Sequence, residues 1–279
     1  MKKLSFKFLS GLLAAGILWS GTPNSGAADE RAGKRVLVVT VTKGFRHSSI
    51  PTAEKVIGEL AAKSRAFTVD YVRNDQEMAE KMTADALKNY DGFIFANTTG
   101  ILPLPDKEAF INAIKGGKGF IAMHSGSDTF HGTNGIDPYS EMLGGEFETH
   151  HAQVGVECMV QDTTHPATHH FGQSFKVKQE EIYLIKNYNP MKVHELLVLD
   201  KHPNDKTPGH YPISWCKKFG QGRVFYTSLG HREDIWDTDP DMKGRVNPVE
   251  VSQAYQTHIL GGIKWALGLE PGDATPQTK

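Results

Sequence analysis

Imidazole is the side chain best placed to do chemistry in this chain. There are 13 histidines, and 11 of them fall between His124 and His231. His47, His124, His150, His151 and His231 lie just after, or close to, apolar runs that read as strands. Imidazoles gathered at strand ends can exchange protons near neutral pH, polarise a carbonyl, or bind Zn²⁺ or a similar divalent cation. The spacing matches no compact zinc motif: there is no His-Glu-x-x-His helix and no Cys-x-x-Cys pair. A metal held by His124, His151, Glu181 and His231 is therefore a candidate that rests on convergence alone. His165, His169, His170 and His202 sit in Pro- and Thr-rich turns and read as surface histidines.

Carboxylates and aromatics surround these imidazoles in the sequence. Glu180 and Glu181 precede the run Ile182–Ile185, where a carboxylate could orient a histidine, ligate a cation or act as a base. The plain alternative is a solvated strand start. Adjacent strand residues point to opposite faces, so this pair does not suit the facing carboxylates of a simple glycosidase. Asp128 follows His124 by four residues and can accept a hydrogen bond near the turn. Glu146 and Glu148 flank the His150-His151 pair, one of them reading as solvent-facing. Phe45, Tyr183 and Trp215 offer the apolar faces that sugar rings pair with, although core packing explains each of them taken alone.

The elements that must position these groups read as an α/β chain. Arg35–Val41, Phe67–Val72, Gly92–Ala96 and Lys118–Met123 are buried-strand runs, with a helix from Pro51 to about Lys63 and another over Asp106–Ile114. Thr83 is expected to cap a short helix ending near Leu87. This alternation predicts a mostly parallel sheet with helices on both faces, whose strand ends converge on one crevice. The fourth strand runs into His124-Ser-Gly-Ser127, a tight turn like a nucleophile elbow that carries histidine in place of Ser or Cys. Beyond it, Asp137–Leu143 reads as a short helix and 144–152 as a polar loop. Val154–Val160, Phe175–Val177, Ile182–Ile185 and Glu195–Leu199 read as short strands of a β-rich extension. Ile213–Cys216 and Arg223–Leu229 form a hairpin around Phe219-Gly-Gln-Gly222, and Val249–Leu267 is a closing helix with Tyr255, Ile259, Ile263 and Trp265 facing the core.

The bulk composition narrows the function. The chain has 279 residues, 39% hydrophobic and 23% charged, with a formal net charge of −1, which suits a globular core and argues against a nucleic-acid partner. Lys2 and Lys3, an apolar stretch from Phe8 to Trp19 and the small residues Gly26-Ala-Ala28 predict a signal peptide over 1–28 and export to the periplasm or beyond. A linker over 29–34, a domain over 35–267 and a flexible tail over 268–279 follow. No membrane association is expected after cleavage. Cys158 and Cys216 could pair or stay as free thiols. There is no phosphate-binding loop and no Gly-x-Gly-x-x-Gly fingerprint, which disfavours nucleotides.

Several separated motifs, in order, resemble one family. They are Val38-Val-Thr-Val-Thr-Lys-Gly-Phe-Arg-His-Ser48, Gly119-Phe-Ile-Ala-Met-His-Ser-Gly126, Gly144-Gly-Glu-Phe-x-x-His-His151, Glu180-Glu-Ile-Tyr183 and the stretch from Pro212 through Ser214-Trp-Cys216 to Gly230-His231. Together they resemble the trehalose-utilisation ThuA-like family over roughly 35–267. The resemblance implies a flavodoxin-like fold similar to class I glutamine amidotransferases, with His124 where those enzymes hold their cysteine, so glutaminase chemistry is not expected. It also implies a role in disaccharide breakdown through 3-keto sugars, and hence a small-molecule carbohydrate as partner. A keto sugar has acidic C–H bonds beside its carbonyl, which a His or Glu base could attack. The expected catalytic set is His124, Glu181, His151 and His231, with His47, Phe45, Asp128, His150, Tyr183 and Trp215 binding substrate. A non-catalytic sugar-binding protein and a metal-dependent glycoside or ester hydrolase are the rival readings. A homodimer is compatible with the sequence, which leaves the oligomeric state open.

Overall fold

Strand β1 (Lys34–Val39) shows why the sheet is covered on both sides. Val36 and Val38 point into one apolar cluster and Leu37 and Val39 into another. A run of β-branched and apolar residues is what a doubly covered strand requires. The computed structural model describes residues 33–131 and 135–277. The predicted signal peptide and most of the linker lie outside them.

Helix α1 (Ile50–Ser64) opens on Pro51 and buries Ala53, Val56, Ile57 and Leu60, the helical stripe expected from sequence. It leads to β2 (Phe67–Val72), then α2 (Asp75–Lys81) and β3 (Gly92–Ala96). Sequence reading overlooked α2, which Asn74 caps by accepting from the Glu77 N–H at 2.9 Å. Asp85 and not Thr83 stands at the N-cap of the next turn, a 3₁₀ segment over Ala86–Asn89, although Thr83 Oγ1 accepts the Ala86 N–H at 3.2 Å. Helix α3 (Lys107–Lys115) and β4 (Gly119–Met123) follow, then a 3₁₀ turn over His124–Asp128 and α4 (Pro138–Leu143).

The antiparallel extension comprises β5 (Glu146–His150), β6 (Val154–Val160), β7 (Ser174–Glu180), β8 (Tyr183–Lys186) and β9 (His194–Lys201). Residues 146–150, expected in a polar loop, are thus a strand, because they pair with β8 in a separate two-stranded ribbon. The hairpin of β10 (Pro208–Phe219) and β11 (Gly222–Thr227) then inserts β11 parallel to β4. Helices α5 (Glu233–Trp236) and α6 (Val249–Ala266) end the domain.

The main sheet has nine strands in the order β2-β1-β3-β4-β11-β10-β9-β6-β7. The first five are mutually parallel, and the remaining pairings are antiparallel. Side chains of α1 and α6 share one core with Val38, Ile121 and Phe225, while those of α3 and α4 share the other with Phe95, Phe120 and Tyr226. This is a mostly parallel mixed α/β sheet clad on both faces. Tyr255, Ile259, Ile263 and Trp265 are fully buried, as the helical spacing predicted.

The C-terminal segment, expected to be free, is held. Thr275 and Gln277 carry its contacts with β9: the Thr275 carbonyl accepts from His194 Nδ1 at 2.7 Å, and Gln277 Oε1 accepts from the Glu195 N–H at 2.8 Å. Cys158 and Cys216 are buried free thiols, and burial pushes the Cys158 thiol up to about 12. Among the described residues no helix is long and apolar enough to cross a membrane.

Candidate active site

The carboxyl ends of β1, β3, β4 and β11 lie side by side, and the loops that leave them are tied together. The Lys43 N–H donates to the Thr99 carbonyl at 2.8 Å, and the Gly100 N–H donates to the Asp128 carbonyl at 3.0 Å. Asn97, at positive φ after β3, donates its side-chain amide to the Gly230 carbonyl at 2.9 Å and to Ser49 Oγ at 3.0 Å. These bonds fix the loops carrying His47, His124 and His231 relative to one another.

His124 adopts φ 46°, the left-handed region that the elbow comparison anticipates and that a β-carbon disfavours. The turn leaves no room for a larger residue at Gly126: a Cβ there would meet Ala122 Cβ at 2.9 Å and the Phe95 carbonyl at 3.1 Å. The His124 ring is wholly buried, with the Tyr183 ring centroid at 4.2 Å. Its Nδ1 donates to the Ser228 carbonyl at 2.8 Å, which leaves a lone pair on Nε2 of the neutral ring. That Nε2 faces His47 Nε2 at 3.1 Å and Glu181 Oε2 at 3.6 Å.

Glu181 is the hub. Its Oε2 lies 3.1 Å from His231 Nδ1, and its Oε1 lies 3.0 Å from His150 Nδ1. It reaches the crevice from the turn between β7 and β8. Its neighbour Glu180, the last residue of β7, accepts the His231 backbone N–H at 2.6 Å, fixing the His231 loop.

Burial opposes charge on every member of the cluster. Burial would raise Glu181, but its imidazole neighbours His124 and His231 hold it well below the usual carboxylate range. Burial also works against a proton on His231, and Glu181 outweighs it, so that imidazole is raised overall. His47 is lowered to about 3 by burial and by the neighbouring His124 and His231. Burial lowers His124 despite its carboxylate partner. Glu180 is raised to about 7 by burial, against the lowering effect of His231 and of the backbone N–H groups it accepts. An ionised Glu181 facing His231, the imidazole of the cluster whose protonation its neighbours favour, is the resulting charge pattern.

The cavity above the cluster has a volume of about 210 Å³. At roughly 30 Å³ per water it has room for one small polar molecule, about the size of a single sugar ring. Phe45, His47, Thr99, Asp128, Phe147, His150, Glu181, Tyr183 and His231 line it. A larger groove of about 560 Å³ crosses β6, β7 and β9, with apolar Val156 and Val177 and the side chains of Lys176 and Lys206, and no comparable cluster of imidazoles.

The structure brings most of the expected site residues together, with three changes. His151 is exposed and its ring packs on His202, 5.2 Å away, so it does not reach the cluster. The cause is a register shift in β5 between Phe147 and Thr149. Regular alternation would put Phe147 and His151 on one face; the extra residue puts Phe147 and His150 there instead. Trp215 is fully buried, donating Nε1–H to the Leu143 carbonyl at 2.8 Å and packing at a tilt against Tyr226, so it is core and not a sugar platform. His124 lies beneath the cavity and not on its wall, so it acts on a ligand only through its neighbours or through a shared ion.

Two turn histidines expected at the surface are also inside. His165 is fully buried against Trp265 and the Cys216 thiol, and His202 is held by Tyr211 and by N–H groups of Asn204 and Asp205. Phe147, Thr99 and Ser125 were not singled out from sequence. Phe147 stood inside a stretch read as a polar loop, and Ser125, 3.3 Å from His47 Nδ1, gave no signal beyond its place in the elbow.

The family model for ThuA, described as trehalose utilisation, matches residues 35–266. The chain belongs to the ThuA family. Solved ThuA-like proteins share its fold: one from Parabacteroides merdae is 15% identical over 84% of this chain and 90% of its own, with a TM-score of 0.63. Another from Bacteroides uniformis is 21% identical over 88% and 95%, with a TM-score of 0.61. A β-galactosidase from Bacillus circulans aligns at 14% identity over 86% of this ThuA chain but 31% of its own length, with a TM-score of 0.51. No curated protein matches the sequence. The ThuA fold thus supplies the elbow, and in this chain the elbow presents an imidazole.

Proposed function

We propose that this ThuA-family chain is an exported carbohydrate-processing enzyme that moves a proton next to the carbonyl of a 3-keto sugar or its glycoside. The observation that carries this reading is Glu181, held within 3.0–3.6 Å of three imidazoles beside a cavity of one ring's size. The family's association with trehalose utilisation supports the substrate class. Export rests on the basic and apolar N-terminal sequence.

The C–H beside a ketone is acidic because the resulting charge spreads onto the carbonyl oxygen. Glu181, ionised by its imidazole neighbours, accepts that proton. His231, whose protonation Glu181 favours, or His150 donates a hydrogen bond to the developing oxyanion. The enediolate then takes that proton back from Glu181 at another position, or, in a glycoside, the C1–O bond breaks and the departing oxygen takes the proton from Glu181 to leave as an alcohol. Phe147 and Tyr183 on one wall and Phe45 at the rim present apolar faces to the ring, and Asp128 presents a polar edge.

The test is hydrogen–deuterium exchange into 3-keto-glucosides in D₂O, followed by NMR. The wild-type chain should exchange the proton beside the ketone, and Glu181→Gln should slow this by about 10² or more. Sugar bound without exchange would instead identify a carbohydrate-binding protein. Hydrolysis of unoxidised glycosides or esters would identify a hydrolase.

A further inference from the structure

We propose that His47, His124, His231 and Glu181 bind one divalent transition-metal cation of the Zn²⁺ type on the floor of the cavity. The inference rests on the reading of this pocket as the working site and supplies it with an electrophile. One ligand atom from each of the four residues falls in a set whose members all lie within 4.8 Å of one another. Two Zn–N bonds of 2.0–2.1 Å at a tetrahedral angle place their nitrogens about 3.3 Å apart. His47 Nε2 and His124 Nε2 are 3.1 Å apart, and Glu181 Oε2 is 3.1 Å from His231 Nδ1.

The hydrogen bonds around the cluster leave lone pairs facing inward. The Ser228 carbonyl can only accept, so His124 carries its proton on Nδ1 and offers Nε2. Ser125 Oγ sits 3.3 Å from His47 Nδ1 and can accept its proton, which frees His47 Nε2 to face the same point. Buried His231 Nδ1 makes no aligned hydrogen bond, despite its closeness to the carboxylate. A buried ring nitrogen without an aligned partner is costly, and a cation in place of its proton would satisfy both His231 Nδ1 and Glu181 Oε2 beside it.

The outer contacts have the form that metal sites need. His124 is oriented by a carbonyl, Glu181 has His150 at its other oxygen, and Glu180 anchors the His231 backbone. Three imidazoles and one carboxylate suit Zn²⁺, Co²⁺, Fe²⁺ or Mn²⁺ and do not suit Mg²⁺ or Ca²⁺, which prefer all-oxygen shells. His47, Glu181 and His231 also line the cavity, so a sugar oxygen entering from solvent could reach the ion. In that arrangement the ion would polarise the carbonyl, while Glu181 Oε1, beside His150 and not needed as a ligand, would remain to carry the proton.

The experiment uses the whole chain without a histidine tag, stripped by chelation and titrated with Co²⁺, Zn²⁺ and Mg²⁺ by calorimetry and elemental analysis. One equivalent of Co²⁺ should bind with visible absorption bands, be displaced by Zn²⁺, and raise the melting temperature; Mg²⁺ should do none of these. His47→Ala and Glu181→Gln should each weaken binding by about tenfold or more, while His151→Ala should leave it unchanged. Circular dichroism identifies variants that have not folded, and Glu181→Gln, nearly isosteric, decides the matter if His47→Ala is among them. Less than half an equivalent bound, or binding unaltered in the folded variants, overturns the site. One equivalent bound without proton exchange on any keto sugar leaves the site standing and overturns the proposed reaction. Exchange by a protein that binds no metal does the reverse.

Discussion

Single residues divide the pocket into groups that touch a ligand and groups that hold those groups still. His150 is on the wall and His151 is outside, although the two are adjacent. If His150 carries a proton, His150→Ala lowers turnover of a keto-glucoside by roughly 10²-fold. The same assay on His151→Ala returns the wild-type rate. Glu180 is a positioning residue: its buried carboxylate accepts the His231 N–H and lies 3.4 Å from the Arg232 N–H. Glu180→Gln keeps one acceptor oxygen and turns an amide group toward the second N–H. That mismatch should cost about 1–3 kcal/mol of stability in denaturant titration. Turnover should fall with it, because the His231 side chain that lines the cavity shifts with its backbone.

At the scale of elements, close backbone approach outweighs local propensity. Helix α6 crosses the 165–168 turn at Gly261, where an added Cβ would lie 2.1 Å from the Pro166 carbonyl oxygen. Helix propensity alone favours Gly261→Ala by about 1 kcal/mol. The clash is with backbone, which cannot rotate away, so overpacking should reverse the sign and destabilise the chain by about 1–3 kcal/mol. A lower melting temperature for Gly261→Ala is the expected result, and a higher one would show that the helix and turn can separate. The β5–β8 ribbon follows the same logic, since its register shift and not its residue pattern selects the histidine that faces the cavity.

For the whole molecule, buried neutral histidines link stability to pH. His258 is lowered to about 3 by burial, and His165 to about 4 by burial against the raising effect of Asp162. Each binds a proton near pH 6.5 in the unfolded chain and none until much lower pH in the folded one. Their stabilising contribution is therefore complete above pH 6.5 and is lost as pH falls toward 4. Between roughly pH 6 and 4.5 each group contributes a slope of about 1.4 kcal/mol per pH unit. Denaturant titrations at pH 7, 6 and 5 should show stability falling steadily. His258→Leu should flatten the slope by about one proton.

The linear sequence determined the covered parallel sheet, because apolar strands alternating with amphipathic helices admit few other arrangements. It also marked His47, His124, Glu181 and His231, because strand-end residues of such a sheet converge. Four matters were decided only in three dimensions. The register shift in β5 exchanged His150 for His151, since a one-residue bulge reverses every facing that follows it. Packing turned Trp215 inward, because its N–H found the Leu143 carbonyl and its ring found Tyr226. The 165–168 turn and His202 were drawn inside by contacts with Trp265, Cys216 and Tyr211, far away in the chain. His124 went beneath the cavity because Tyr183, brought over by the extension, covers its ring. Residue types and local period are written along the chain, whereas register and long-range cover depend on partners that local pattern does not name.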